Sequence, residues 1–126
     1  MAALSGLSVL LVEDEFLIAL DAEQILKDLG ARSVEVISNF AKACERAAGA
    51  AVDVVVLDVN LNGQLSFPIA QILKDRGVPV VFASGYQLSE RSPAGFEDSI
   101  SVGKPYTLDA LRHALMRALA DGNATA

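Results

Sequence analysis

The stretch Val54-Val55-Val56-Leu57-Asp58 decides the fold. An unbroken apolar, β-branched run of this length reads as a strand buried on both faces, because a strand with one wet face would alternate with polar residues. Asp58 closes the run, so its carboxylate is held by a rigid element with one side toward solvent. Two other stretches end in a similar way. Val9-Leu10-Leu11-Val12 runs into Glu13-Asp14-Glu15, and a late apolar segment runs into Gly103-Lys104-Pro105. Carboxylates at two strand ends and a lysine at a third suggest a site that handles a phosphoryl group and a divalent metal ion.

The chain has 126 residues, 52% of them apolar, which suits one domain with a single core. No segment approaches the ~18 consecutive apolar residues of a membrane span. The opening Met1-Ala2-Ala3-Leu4-Ser5-Gly6 lacks the basic start and long apolar core of a signal peptide. Cys44 is the only cysteine and cannot make an internal disulfide, in keeping with a cytoplasmic protein. No cationic cluster flanks it in sequence, so among small helix-forming residues it reads as a packing residue. A net charge of −6 disfavours nucleic acid as a partner, and acidity gathered at the supposed site suits a cation.

Strands and helices alternate along the chain. Residues 7–12 form a strand and 15–29 a helix, with Phe16, Leu17, Leu20, Ile25 and Leu29 as its apolar face and Gly30 as its stop. Residues 33–37 are a shorter strand, followed by an alanine-rich helix capped by Asn39 and reaching about Ala48. After the strand at 53–57, Asn62-Gly63 marks a turn and 66–76 a helix that ends at Gly77. Residues 78–83 form a strand with Pro79 at its start, and 99–102 a last short strand. Between them, 87–91 allow one helical turn, while Pro93 and Gly95 prevent a long helix. A final helix covers 107–120, capped by Thr107, with Leu108, Leu111, Leu115 and Leu119 on one face and Asp121-Gly122-Asn123 as its end. Such alternation implies a doubly wound α/β sandwich: a five-stranded parallel sheet, order 2-1-3-4-5, with helices on both faces. Sites in these sheets lie at the carboxyl ends of the strands, where Asp14, Asp58, Ser84 and Lys104 all fall.

A hard cation takes oxygen ligands, a few from protein and the rest from water and phosphate. Asp14 and Asp58 can bind it directly, Glu13 directly or through water, and Asn60 through its backbone carbonyl. Crowded carboxylates repel, so Lys104 also serves as their counter-ion. Asp58 is then a candidate nucleophile toward phosphorus, with Lys104 and the Ser84 hydroxyl available to the phosphoryl oxygens and Gly85 leaving room for the donor. Taken singly, an aspartate ending a strand is a turn residue or cap, an acidic run opening a helix serves the helix dipole, and Lys-Pro is a junction. Tyr86 and Tyr106, taken singly, are partial core, and His113 is a surface or boundary residue. The coincidence of four strand ends outweighs these separate readings.

The sequence resembles the response-regulator receiver family. The matching residues are Val9 through Glu15, Leu57-Asp58-Val59-Asn60-Leu61-Asn62-Gly63, Ser84, and Lys104-Pro105-Tyr106, in order and spacing over nearly the whole chain. The resemblance implies a CheY-like fold with Asp58 as phosphoacceptor and Glu13 and Asp14 as the acidic pair that binds Mg²⁺ (or Mn²⁺). It implies Ser84 as the switch hydroxyl and Lys104 as the lysine that contacts the phosphoryl group. The donor would be a sensor histidine kinase or a phosphotransfer protein. Phe82-Ala83-Ser84-Gly85-Tyr86 also resembles the signature of the FATGUY class of stand-alone receivers, with Ser84 for threonine. Members of that class resemble regulators paired with HWE-type kinases, several in the general stress response. Departures fall on the switch. The aromatic residue that most receivers carry three positions before the lysine is Ser101 here, and Leu61-Asn62-Gly63 replaces the usual Met-Pro.

The leading expectation is therefore a single-domain, cytoplasmic response regulator of a phosphorelay, a phosphoacceptor and not an enzyme, with no output domain after the last helix. Its downstream protein partner is left unnamed; nucleic acid and membrane are not expected. Its switch would lie at Ser84, Gly85, Tyr86, Ser101 and Tyr106, with the Gly-, Pro- and Ser-rich segment 85–99 ordering on phosphorylation. A rival is a haloacid-dehalogenase-like phosphohydrolase, but that chemistry wants an acid two residues after the nucleophile, where Asn60 stands. A third reading is a receiver-like scaffold that is never phosphorylated.

Overall fold

The computed structural model describes residues 4–84 and 99–124. Five strands, β1 (Ser8–Val12), β2 (Ser33–Ile37), β3 (Val54–Asp58), β6 (Val80–Ser84) and β7 (Ile100–Gly103), form one parallel sheet in the order β2-β1-β3-β6-β7. In chain order this is the expected 2-1-3-4-5 arrangement. Helices α1 (Phe16–Asp28) and α4 (Leu108–Ala124) pack on one face, α2 (Phe40–Gly49) and α3 (Phe67–Asp75) on the other. Residues of β1 and β3 are buried throughout, as continuous apolar runs in a two-sided sandwich require. Their side chains alternate between the faces. Leu11, Val56 and Val81 pack with Leu26 of α1 and Leu111 and Leu115 of α4. Leu10, Val55 and Phe82 pack with Ala43 of α2 and Leu73 of α3.

The register brings the strand ends level. Val12 lies opposite Leu57, Leu57 opposite Phe82, and Phe82 opposite Ser101. One step on, Asp58 faces Ala83, and Ser84 faces Gly103. Glu13, Asp58, Ser84 and Lys104 therefore emerge at nearly the same height.

A short hairpin follows Asp58. Strands β4 (Asn60–Leu61) and β5 (Gln64–Leu65) pair antiparallel around Asn62-Gly63, whose φ angles of 53° and 84° fit a type I′ turn. Helix caps follow the sequence closely: Asn39 Oδ1 accepts from the Lys42 amide, and Thr107 Oγ1 accepts from Ala110. Gly30, at φ 98°, takes the left-handed position just beyond α1. Strand β6 begins at Val80, so Pro79 precedes it and cannot interrupt its ladder.

Three sequence expectations are corrected. Phe16 and Leu17 of α1 are each 73% exposed and Leu20 is 46% exposed, so they are not its core face. The buried stripe is Ala19, Ala22, Leu26 and Leu29, spaced three and four apart. Small alanines let the helix approach the sheet, and reading the largest residues as the inner face turned it away from its true orientation. Leu108 is likewise exposed at the start of α4, where Leu111, Ala114, Leu115 and Ala118 are buried. Helix α4 also runs through Asp121-Gly122-Asn123 to Ala124, because one helical glycine costs only about 1 kcal/mol relative to alanine and does not force a stop. The expected turn at 87–91 and the order–disorder reading of 85–99 lie outside the described residues, save for Ser99.

The α1 correction is testable by chemical denaturation. Leu26→Ala should destabilise the protein by about 2–5 kcal/mol, since it empties a fully buried site. Leu20→Ala should stay within about 0.5 kcal/mol of the parent.

Candidate functional site

Parallel strands leave backbone and side chains at their carboxyl ends without further neighbours, and the crossovers to the helices open a cleft there. In this protein the cleft holds about 320 Å³ and is lined by Asp14, Glu15, Asp58, Val59, Asn60, Ser84 and Lys104. Glu13 lies below it, almost fully buried. Alternation along the strands aims Glu13 and Asp58 toward the face of the sheet that α1 and α4 cover, and Lys104 follows β7 on that side. Its ammonium lies between them, donating to Glu13 Oε1 at 2.8 Å and Asp58 Oδ2 at 3.0 Å. The Tyr106 hydroxyl donates to the same Glu13 oxygen at 3.4 Å, and the Glu15 amide donates to Glu13 Oε2 at 3.1 Å. The Lys104–Pro105 peptide is cis.

The hairpin completes the wall. The Asn62 amide donates to Asp14 Oδ2 at 2.9 Å, and its side chain donates to the Ser38 carbonyl at 3.1 Å. The Asn60 amide reaches Asp58 Oδ1 at 3.3 Å, while Asn60 Oδ1 accepts from the Gly63 amide at 2.9 Å. The Asn60 side chain is thus the clasp of the turn. Sequence reading recognised the turn but not that it folds back onto Asp14. The signal was present in Asn-Gly set between Leu61 and Gln64-Leu65, a two-residue hairpin loop with short flanks. The Tyr106–Glu13 contact was also missed, since nothing in the spacing of these residues announces it.

Charge at this edge is out of balance. Among the described residues, Glu13, Asp14 and Asp58 offer carboxylate oxygens all within 4.8 Å of one another, against the single ammonium of Lys104. Burial pushes the Asp58 carboxyl up to about 7, with Glu13 adding to the effect and Lys104 opposing it. Burial would raise Asp14 too, but the Asn62 amide and hydrogen bonds to Asp58 and Glu13 hold it below its ordinary value. For Lys104, burial favours the neutral amine, yet its bonds to Glu13 and Asp58 win and keep it charged. Burial and the two facing carboxylates push the Tyr106 hydroxyl well above its usual range, so it remains a donor. An all-oxygen donor set with excess negative charge fits a hard divalent cation. Asp14 and Asp58 line the cleft where they could hold it, Glu13 is placed to act from beneath, and Asn60 is at the rim.

Of the expected site residues, the structure brings Glu13, Asp14, Asp58, Asn60, Ser84, Lys104 and Tyr106 to one edge. Ser84 is buried at the end of β6, and its carbonyl accepts from the Lys104 amide at 3.1 Å. Ser101 is not among them: it is exposed on β7, between the buried Ile100 and Val102. Gly85 and Tyr86 lie outside the described residues.

The Asp58 environment has a consequence for stability. A carboxyl whose folded-state value rises from 3.8 to about 7 holds its proton in the folded chain after the unfolded chain has lost it. Stability therefore falls as pH rises from about 4 to about 7, by at most about 1.4 kcal/mol per pH unit for one proton, and levels off above. Asp58→Asn should melt at a higher temperature than the parent at about pH 8, with the difference shrinking toward pH 4. Thermal melts across that range, without divalent ions, check it.

Comparison with known proteins agrees with the geometry. A family described as "Response regulator receiver domain" matches residues 9–116. Among solved structures, a response regulator receiver protein from Sinorhizobium medicae WSM419 is 33% identical, with 93% of this chain and 97% of that one covered and a TM-score of 0.80. SdrG from Sphingomonas melonis Fr1 is 37% identical, covering 95% and 99%, with a TM-score of 0.77. The response regulator PhyR from Brucella abortus is 26% identical with a TM-score of 0.80, and the match takes in 95% of this chain but 50% of that one; a PhyR described as a stress response regulator is 26% identical with a TM-score of 0.77, over 90% of this chain and 45% of that one. No curated protein sequence matches. With its fold, its acidic cleft and a match over most of its length, the chain belongs to the response regulator receiver domain family.

Proposed function

We propose that this receiver accepts a phosphoryl group on Asp58 from the phosphohistidine of a sensor histidine kinase or a phosphotransfer protein, with Mg²⁺ (or Mn²⁺) bound at Asp14 and Asp58. The observation that carries the reading is the position of Asp58. Its carboxylate is buried, 3.0 Å from a lysine, in a cleft also lined by Asp14 and Ser84. In the transfer, an Asp58 oxygen forms a bond to phosphorus as the donor's nitrogen–phosphorus bond breaks, and the imidazole leaves with the electron pair. Asp58 must be ionised to attack, which its surroundings oppose near neutral pH. A cation held by Asp14 and Asp58 would supply positive charge that favours the carboxylate and offsets charge on the phosphoryl oxygens. Lys104 pairs with the growing negative charge, and Ser84 lines the same cleft.

The chain assists its own phosphorylation and dephosphorylation on this reading but turns over no free phosphomonoester. A phosphohydrolase would need an acid two residues beyond Asp58. Asn60 occupies that place, and its side-chain oxygen is committed to the Gly63 amide. The similarity to SdrG and to PhyR, together with Phe82-Ala83-Ser84-Gly85-Tyr86, supports a role in a stress-response phosphorelay with an HWE-type kinase as donor. Signalling would pass by protein contact in the cytoplasm. Among the described residues no helix is long and apolar enough to cross a membrane.

Acetyl phosphate with Mg²⁺ should give one acid-labile phosphate on the protein, and Asp58→Ala should give none. An Asp58→Ala protein that still acquires the same phosphate would refute the assignment. Beryllofluoride with Mg²⁺ should shift amide resonances around the cleft in the parent only.

A further inference from the structure

Glu13 is almost fully buried, yet it is a charged group's neighbour on several sides. Its Oε1 is shared by two donors, the Lys104 ammonium at 2.8 Å and the Tyr106 hydroxyl at 3.4 Å. Those donors differ in freedom. Lys104 carries its charge on a flexible stem that also reaches Asp58, whereas the Tyr106 ring is half-buried and packed against the α1–α4 side of the core. A phosphoryl group on Asp58 would bring a second negative charge within reach of the lysine. As Lys104 turns toward it, Glu13 Oε1 would lose its ammonium while Oε2 keeps only the Glu15 amide, and a buried carboxylate oxygen short of donors is disfavoured.

We infer that Tyr106 is a positioning residue for the phosphoacceptor site: its hydroxyl holds the buried Glu13 carboxylate in place when Lys104 is drawn toward the phosphoryl group. At 3.4 Å the bond is longer than the ~2.7 Å of a relaxed O–H···O contact, so it has room to shorten as the lysine withdraws. Tyr106 does not touch the reacting atoms; it acts through Glu13. The inference rests on Asp58 being the phosphoacceptor.

The test uses the full chain labelled with ¹³C at tyrosine Cζ. The sequence holds two tyrosines, Tyr86 and Tyr106, so the Tyr106 resonance is the one missing from Tyr106→Phe. That variant keeps the ring and its packing. The Tyr106 resonance should move when beryllofluoride is added to the Mg²⁺-loaded parent. Tyr106→Phe should weaken beryllofluoride binding about three- to tenfold and Mg²⁺ binding by a clearly smaller factor. In a Glu13→Gln background, the same substitution should cost much less. Equal beryllofluoride affinity in Tyr106→Phe, an unmoved Tyr106 resonance in a parent that does bind, or an equal loss toward Mg²⁺ and beryllofluoride would each overturn the role given to Tyr106. A parent that binds no beryllofluoride would instead overturn the assignment of Asp58 itself.

Discussion

Lys104 is held between Glu13 at 2.8 Å and Asp58 at 3.0 Å, and the carboxyl edge of the sheet is organised around that shared charge. Its two partners come from β1 and β3, and the lysine itself from β7, two strands further along. The three groups meet only because the register places Val12, Leu57, Phe82 and Ser101 in one row. A slip of one residue in β3 would turn Asp58 to the opposite face of the sheet. The apolar packing of Val54–Leu57 against both helical layers fixes that register, so the core and the site impose the same alignment. Removing the lysine would leave two buried carboxylates facing each other. Adding a cation beside Asp14 and Asp58 corrects the imbalance in the other direction, toward neutrality.

Much of this arrangement was legible in the sequence, for a physical reason. A strand buried on both faces must be apolar, so Asp58, Glu13 and Lys104 stand out as interruptions at strand ends. The sheet order follows from the rules governing parallel connections. The orientation of α1 was not legible, because its inner stripe is half alanine. Alanine contributes little to an apolar pattern, yet it allows the closest approach to a sheet. Phe16, Leu17 and Leu20 looked like core for the opposite reason, being large but on the outer side. The hairpin over Asp14 was half legible: Asn62-Gly63 requires a turn, but its contact depends on the Asn62 amide meeting a side chain 48 residues away. The placement of Tyr106 against Glu13 spans 93 residues and rests on how α4 docks, which local pattern does not encode.

The exposure of Ser101 sharpens the question of how an event at Asp58 is read elsewhere. An aromatic ring at that place in β7 could turn between an outer and an inner position; a serine on an exposed edge position has no comparable volume to move. Among the described residues, two of the links that leave the site run on toward β6 and α4. The Lys104 amide donates to the Ser84 carbonyl, so the ends of β6 and β7 cannot separate without breaking a backbone bond. Tyr106 ties Glu13 to the packing of α1 and α4. Both links run through Lys104 or the residue two positions beyond it. The lysine that partly offsets the site's negative charge is thus also the point where that charge meets the backbone of β7 and the start of α4. On the proposed reading, a phosphoryl group on Asp58 that drew the Lys104 ammonium away from Glu13 would act on the Tyr106 link, without any aromatic residue at position 101.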